Sequence, residues 1–586
     1  MAVRFLIYTA ILYGGFVHNI FCVQEDALTV VGEFRSGYLT GDCTLAINRM
    51  RSPDNGPWAP MASWSPGIWT PYRSQFGLSA VVLAGVQRAT GAAPEKVAAI
   101  GSAFYGLLAA ALLAAFFASV ATQIAPLAGH VGVLLSACSP PLLAFAPSLY
   151  WTLPATLAPF VFAWLAYPWS TRSPLRAVAF LAGLAILVLA KSLCGYEYIS
   201  TVVASPAAAI VFHRAATGEG WRKWLLPVAA VGIAGVVGFT AAIGIHAQQI
   251  SEQTGESGLA TIRSRASART SLPSGEGTEA IIYPVFAPES LPQPARCFAN
   301  YFYQPILSSP QTWGGARFLV PLGALVAAAA FALVLAWRNR AANPAAAALA
   351  PATFIALLGG MSWQALAVNH MVFHGHLNLI VYCVPFAPLA FAALGAGVAR
   401  LGYSRAVAVA LGLAAIGIPI GNVVVVQTRA EERRLADESA VERVRAMLRG
   451  ESKAVPLGEK GPPPIVALLP LDPPYLPNVA AFTPKYAPAV PEGERPTGIY
   501  GWVRLPRERS SRFPMSIVCV RGSDIVPSRV GYFRLTAVEQ LHGKQIACVA
   551  FHAVIPPKNE PGERLRVYAV PTQSSLPIIE LMTTEP

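Results

Sequence analysis

Charge is what this chain has least of. Asp, Glu, Lys and Arg supply 12% of its 586 residues against 54% hydrophobic ones, at a mean hydropathy of +0.49. Soluble domains carry about twice that share of charge, so an ordinary soluble fold is excluded and a polytopic membrane protein is implied. Cysteine is sparse as well. The eight present include no Cys-x-x-Cys pair, which removes support for a zinc ribbon or a redox dithiol. Cys519 and Cys548 stand in strand-like runs and read either as a disulfide, if that region is extracytoplasmic, or as two buried thiols. No small-x-small cleavage site follows "MAVRFLIYTAILYGGFVHNIF", so this first apolar run is kept as a membrane helix and not as a removed leader. No solenoid repeat is present, and no second half mirrors the first as in many secondary transporters.

The net charge of +13 does not imply a nucleic-acid partner. Arg and Lys fall mostly in short spacers between apolar runs, the pattern of the positive-inside rule. Runs long enough to span lie near 5–22, 75–90, 97–122, 153–170, 177–193, 196–213, 224–245, 315–337, 345–367, 376–398 and 405–427. With 128–150, broken by Pro140, Pro141 and Pro147, they predict a polytopic α-helical protein of about 11–13 transmembrane helices. The basic clusters at 170–176, 213–224 and 337–340, with Arg400 and Arg405, fit one cytoplasmic face. The opposite face then receives 23–74, 191–196, 246–314, 368–376 and everything after about 428. The chain therefore divides into a membrane domain, 1–428, with outer loops 23–74 and 246–314, and a region 429–586. The latter opens with the charged helical stretch "RAEERRLADESAVERVRAMLRG" and continues in alternating runs that predict a small β-rich, extracytoplasmic domain.

Candidate chemistry collects on the outer face. In the first loop, acids accompany Trp58, Trp64, Trp69 and Tyr72; a carboxylate at the membrane edge suits a general base, and aromatic faces suit sugar rings or lipid headgroups. Asp26, near the end of the first span, and Asp42, in "TGDC", are the favoured bases. The bland alternative is an interfacial aromatic belt with solvated acids. "KSLCGYEYIS" puts Lys191, Tyr196 and Glu197 at the junction of two spans, where a charge is costly unless paired or wet. Glu197 is accordingly a third catalytic candidate, or half of a structural pair with Lys191. Arg263, Arg265 and Arg269 of "TIRSRASART" could line a phosphate site or be solvated. "NHMVFHGHLN", 369–378, holds His370, His374, His376 and Asn378. No single regular element aims the three histidines at one ion, so no metal site is assigned. A helix starting near 376 would instead point its N-terminal amides into an outer pocket and, with these side chains, bind an anion. The alternative is a set of polar residues satisfying a broken helix end.

This layout resembles the GT-C superfamily of integral-membrane glycosyltransferases: a first span, a long acidic outer loop, "APSLYW" with Tyr150 and Trp151 at a broken helix, a second long outer loop, and an outer C-terminal domain. The resemblance implies transfer of a sugar, with inversion, from a polyprenyl-phosphate carrier to a glycan or glycolipid acceptor outside the cytoplasm; the richness in Ala, Gly and Pro suggests a high-GC bacterium, and with it an inner membrane with a periplasmic active face. The resemblance also implies a base at Asp26 or Asp42 and donor-phosphate contacts from the histidine stretch. A divalent cation is compatible with such a site but not required by the sequence. Two other functions share the layout. A polysaccharide polymerase or O-antigen ligase would use an oligosaccharide on pyrophosphate, and a transporter of lipid-linked saccharide would need polar residues deep in several spans.

Overall fold

The computed structural model describes residues 1–21, 37–52, 56, 59–65, 68–270, 292–308, 319–373, 378–401, 404–453, 455–456, 465–470, 496–506, 515–521, 524–528, 540–541, 544–554, 564–571 and 578–583. The chain divides into two compact units, Met1–Val423 and Val424–Pro586.

Among its described residues the first unit is mainly helical. It begins with α1 (Ala2–His18), α2 (Gly37–Arg51), the antiparallel hairpin of β1 (Met61–Ser65) and β2 (Ile68–Tyr72), and α3 (Leu78–Thr90). Next come α4 (Pro94–Gln123), α5 (Pro126–Ala137), α6 (Pro140–Phe145), α7 (Leu153–Ser170), α8 (Pro174–Cys194), α9 (Ile199–Ala216) and α10 (Leu225–Thr254). After α11 (Gly258–Thr270) and α12 (Gln293–Tyr303), the short strands β3 (Pro305–Ser308) and β4 (Leu319–Pro321) pair ahead of α13 (Leu322–Arg338), α14 (Pro344–Leu366) and α15 (Val368–Phe373). A 3-10 turn, Asn378–Cys383, leads into α16 (Phe386–Arg400), and α17 (Ser404–Leu448) runs through the division between the units.

Proline starts α4, α5, α6, α8 and α14, where its missing N–H would have been unpaired in any case. Ser173 and Asn343 cap α8 and α14, accepting from the amides of Arg176 (3.4 Å) and Ala346 (2.8 Å). Among the described residues, five helices are long and apolar enough to cross a membrane: Lys96–Gln123, Pro174–Cys194, Ile199–Ala216, Trp221–Thr254 and Pro344–Leu366. The chain is a helical membrane protein. Leu78–Thr90 differs from the span expected at 75–90. Its 13 residues measure about 20 Å, short of a hydrocarbon core of about 30 Å.

Small residues let these helices pack closely, the usual solution in lipid. A side chain at Gly238 would strike the Ala185 carbonyl of α8, and one at Gly395 would strike the backbone of Leu127 and Ala128 in α5. Between such contacts lies an aromatic centre. Trp164 stacks on Phe212 (4.1 Å), meets Phe116 edge-on (4.8 Å) and donates its indole N–H to Ser119 (3.1 Å).

Hydrogen bonds sort the helix junctions into two ends. At one, His213 bonds the Trp164 carbonyl, Arg214 the Tyr167 hydroxyl, and Asn343 the Ile124 carbonyl. The basic clusters of the sequence gather here. At the other, β2 meets the α6–α7 turn, the α8–α9 turn meets α10 and α11, and α12 meets α15. Of the stretch expected as a loop at 246–314, the described residues are mostly helical: α10 runs to Thr254, α11 spans Gly258–Thr270 and α12 spans Gln293–Tyr303.

In the second unit the described strands form a five-stranded sheet, 455–456, 579–583, 565–571, 515–521 and 524–528 in spatial order, and a four-stranded one, 540–541, 544–554, 496–506 and 465–470. Val518, Val520, Tyr568 and Val570 of the first sheet pack on Ala440 and Val444 of α17. Cys519 is buried in the five-stranded sheet, while Cys548 lies on a strand of the other.

Candidate functional site

The site is built on the α8–α9 junction. α8 ends at Gly195, where the chain turns through Tyr196, Glu197 and Tyr198 before α9. Lys191, in the last turn of α8 and only 2% exposed, donates its Nζ to the carbonyls of Gly195 (2.6 Å) and Glu197 (3.0 Å). A cation placed on the final carbonyls of a helix satisfies acceptors that have no intrahelical partner. The ammonium braces the turn, and it holds the Glu197 backbone, not the carboxylate.

That leaves the Glu197 carboxylate for another cation. Buried at 3% exposure, it pairs with Arg269 of α11, Nη2 to Oε1, at 3.3 Å. Arg265, one turn earlier on the same face, donates to Ser74 Oγ (3.0 Å), and Asn369 Nδ2 donates to the Ala268 carbonyl (2.6 Å). α11 is thereby tied to the α8–α9 turn, the segment after β2, and α15. Arg263 and Arg265 are both exposed to solvent, and only Arg265 and Arg269 bond residues of the junction, so the three arginines do not converge. Two of them face the junction and the third does not.

Beside the ion pair, the hydroxyls of Tyr72 and Tyr150 lie 2.8 Å apart. Burial, and then the Glu197 charge, raise the Tyr72 phenol above its usual value. Burial disfavours the Arg269 charge, but Glu197, with Tyr72 and Tyr150, more than offsets it and holds the guanidinium above its ordinary value. Tyr196 turns away, its hydroxyl on His246 Nδ1 (2.9 Å). Gln75 is 1% exposed and its side-chain amide has no hydrogen-bond partner among the described residues. Its Oε1 and Glu197 Oε2 both crowd the position a side chain at Gly195 would take. A buried amide without partners is rare in a folded chain and marks a place where a ligand group or water can bond.

An aromatic wall completes the end. Trp151 stacks on Tyr198 (5.6 Å, 26°), which presents its edge to Trp363 (5.5 Å) and His370 (6.3 Å), and Trp363 meets His370 at 5.6 Å. Trp363 Nε1 has no hydrogen-bond partner among the described residues. Tyr198 has φ 66 and Thr152 φ 45, left-handed values that cost a residue with a side chain of this kind about 1–3 kcal/mol. Both strained positions border the wall, one just after Trp151 and the other within it.

The structure therefore brings together Tyr150, Trp151, Lys191, Glu197, Arg265, Arg269 and His370. His370 is 6% exposed on α15. His374, His376 and Asp26 lie outside the described residues. Asp42 lies on α2, and Asn378 opens the 3-10 turn; only their backbones are described. Among the described residues the chain resumes at Asn378 in a 3-10 turn, not in a regular helix. α16 begins at Phe386, after the 3-10 turn, so the described residues after the histidines supply no regular helix N-terminus for an anion. Gln75, Tyr198 and Trp363 escaped the sequence reading, since "SQFG" and "MSWQ" sit inside or beside apolar runs. Among the described residues no three His, Cys, Asp or Glu gather to hold a metal ion. Comparison of the chain with family models, curated proteins and solved structures finds no match in any of the three.

Proposed function

We propose that this chain is a GT-C-type membrane glycosyltransferase that moves a sugar from a polyprenyl-phosphate donor to a glycan or glycolipid acceptor. The observation that carries the reading is the Glu197–Arg269 pair at 3.3 Å, a buried carboxylate and a guanidinium beside two tyrosine hydroxyls and an aromatic wall. In this reading the donor phosphate draws Arg269 from Glu197, as a planar guanidinium matches phosphate oxygens, with Arg265 and His370 as further donors. Glu197, released, takes the proton of the acceptor hydroxyl. The new O–C bond forms at the anomeric carbon as the C–O bond to phosphate breaks, and polyprenyl phosphate leaves with the electron pair. Gln75 bonds a sugar hydroxyl, and Trp151, Tyr198 and Trp363 present apolar faces to the ring or the first prenyl units. Positioning and charge stabilisation supply most of the acceleration, because phosphate is already a competent leaving group.

The reading assigns the chain to a bacterial inner membrane with about 11–13 crossings, the site end facing the periplasm, and a β-rich extracytoplasmic C-terminal domain. Asp42 and Asp26 remain the alternative bases. The test is transfer by the purified chain from a panel of radiolabelled polyprenyl-phosphate monosaccharides to membrane glycolipid extract. Glu197→Gln should lower transfer by about 10²–10⁴-fold, the usual contribution of a general base, and should still bind donor. Full activity in Glu197→Gln with loss in Asp42→Asn or Asp26→Asn moves the base into the first loop. No transfer from any monophosphate donor, with labelled lipid flipped in liposomes, refutes the enzyme.

A further inference from the structure

At the opposite end of the first unit, three arginines lie over exposed tryptophans. Arg176, in the first turn of α8, sits over Trp169 near the end of α7 (5.6 Å to the ring centre); Arg222 over Trp221 in the α9–α10 turn (5.7 Å); and Arg340, just past α13, over Trp337 (5.4 Å). The indoles are 41%, 60% and 51% exposed. None of the three guanidinium groups makes a hydrogen bond or ion pair with a described residue, so their donors are free for a ligand. Arg214, at the same end, behaves differently. It bonds the Tyr167 hydroxyl and pairs with Glu219 at 2.7 Å. Glu219, the acid of the basic spacers that join these helices, is thus already neutralised.

We propose that these three tryptophan–arginine pairs are binding sites for the headgroups of anionic phospholipids. Indole prefers the depth where headgroup meets acyl chain, and a guanidinium held over it at that depth presents a planar set of N–H donors to a phosphate. The pairs occur at separate helix junctions around one end of a membrane bundle, where a lipid surface can reach all three. Charge complementarity selects the occupant, since the basic spacers leave no unpaired acid to repel an anion. The inference is independent of the reaction proposed for the other end.

The test uses the full chain reconstituted with mixed phosphatidylglycerol and phosphatidylcholine, with retained lipids counted by native mass spectrometry. The chain should retain phosphatidylglycerol in preference. Replacing Arg176, Arg222 and Arg340 by Gln should weaken that retention about fivefold per guanidinium, from about 1 kcal/mol for each cation at an anionic surface. Replacing Arg338, Arg400 and Arg405 by Gln removes the same charge from the same end but no stacked pair, and should leave most of the retention intact. Equal loss in the two triple variants, or no preference for phosphatidylglycerol in the parent chain, overturns the proposal. Trp169→Leu, Trp221→Leu and Trp337→Leu together keep every charge and should also lose retention, which serves if the arginine triple does not fold.

Discussion

Gly195→Ala tests the site through a single methyl group. The glycine has φ 172 and ψ 150, an extended conformation open to any residue, so the substitution carries no backbone penalty. The cost is steric. The new carbon would lie 2.6 Å from Glu197 Oε2 and would also collide with Gln75 Oε1. Ordinary contact begins at 3.4 Å, so the carboxylate must retreat by roughly 0.8 Å, a displacement on the scale that costs about 10²-fold in rate at a reacting group. Overpacking of this kind destabilises by about 1–3 kcal/mol, and the side-chain amide of Gln75 can absorb part of it. The expected outcome is a chain that still folds, read by thermal unfolding in detergent, with sugar transfer down about 10²-fold and donor binding largely kept. Adding Gln75→Ala opens space on one side of the methyl. If crowding is the cause, the double variant should recover part of what Gly195→Ala loses, beyond the sum of the single effects. Unchanged transfer in a folded Gly195→Ala chain would refute the argument, because a base cannot move that far without consequence.

Lys191→Met removes the ammonium that bonds Gly195 and Glu197 carbonyls; two buried acceptors lose a charged donor, and unfolding should become easier by about 2–4 kcal/mol, measured by denaturant titration in detergent. Tyr72→Phe breaks the hydroxyl pair with Tyr150 and should cost about 1 kcal/mol. Because burial and the Glu197 charge hold the Tyr72 phenol up, an ultraviolet difference titration against Tyr72→Phe should show this phenol ionising at higher pH than an ordinary tyrosine; ionisation at or below the ordinary range would contradict its placement beside Glu197.

Much of the membrane unit was legible because lipid imposes a simple rule: long apolar runs become helices that satisfy their own backbone. The helices α8, α9, α10 and α14 follow from that rule alone, and Lys191 with Glu197 drew notice as charges at a span junction. What was not legible depended on long-range contacts. The partner of the Glu197 carboxylate is Arg269, 72 positions away, and no local pattern singles out that arginine over Arg263 or Arg265. Trp363 is one more apolar residue within α14 until α15 folds back and sets His370 against it. The 75–90 run shows the opposite error. Its composition fits a span and its end at Thr90 agrees, with Gly91 at φ 64 as the left-handed C-cap, but the helix starts only at Leu78, after Gly77 at φ 75, a left-handed conformation that glycine adopts readily and that keeps the preceding residues out of the helix.

The Glu197–Arg269 pair decides between a structural and a chemical account of the site. Removing two charges from water is expensive, and replacing a buried ion pair by apolar residues of similar volume is often neutral or stabilising. A pair kept only for stability is therefore a weak choice at this position, whereas a pair that must open to admit a phosphate and free a base needs both charges. Glu197→Leu alone leaves Arg269 facing an apolar wall, and Arg269→Met alone leaves a carboxylate at 4% exposure without its cation. Each single change should destabilise by no more than about 3 kcal/mol, the low end for buried pairs, since the arginine keeps 26% of its side chain in solvent. The double variant should return to within about 1 kcal/mol of the parent and yet transfer no sugar. Thermal unfolding and transfer measured on the same preparations separate the two accounts: restored stability with lost transfer assigns the charges to chemistry. Restored stability together with restored transfer would mean that the pair only holds α11 in place.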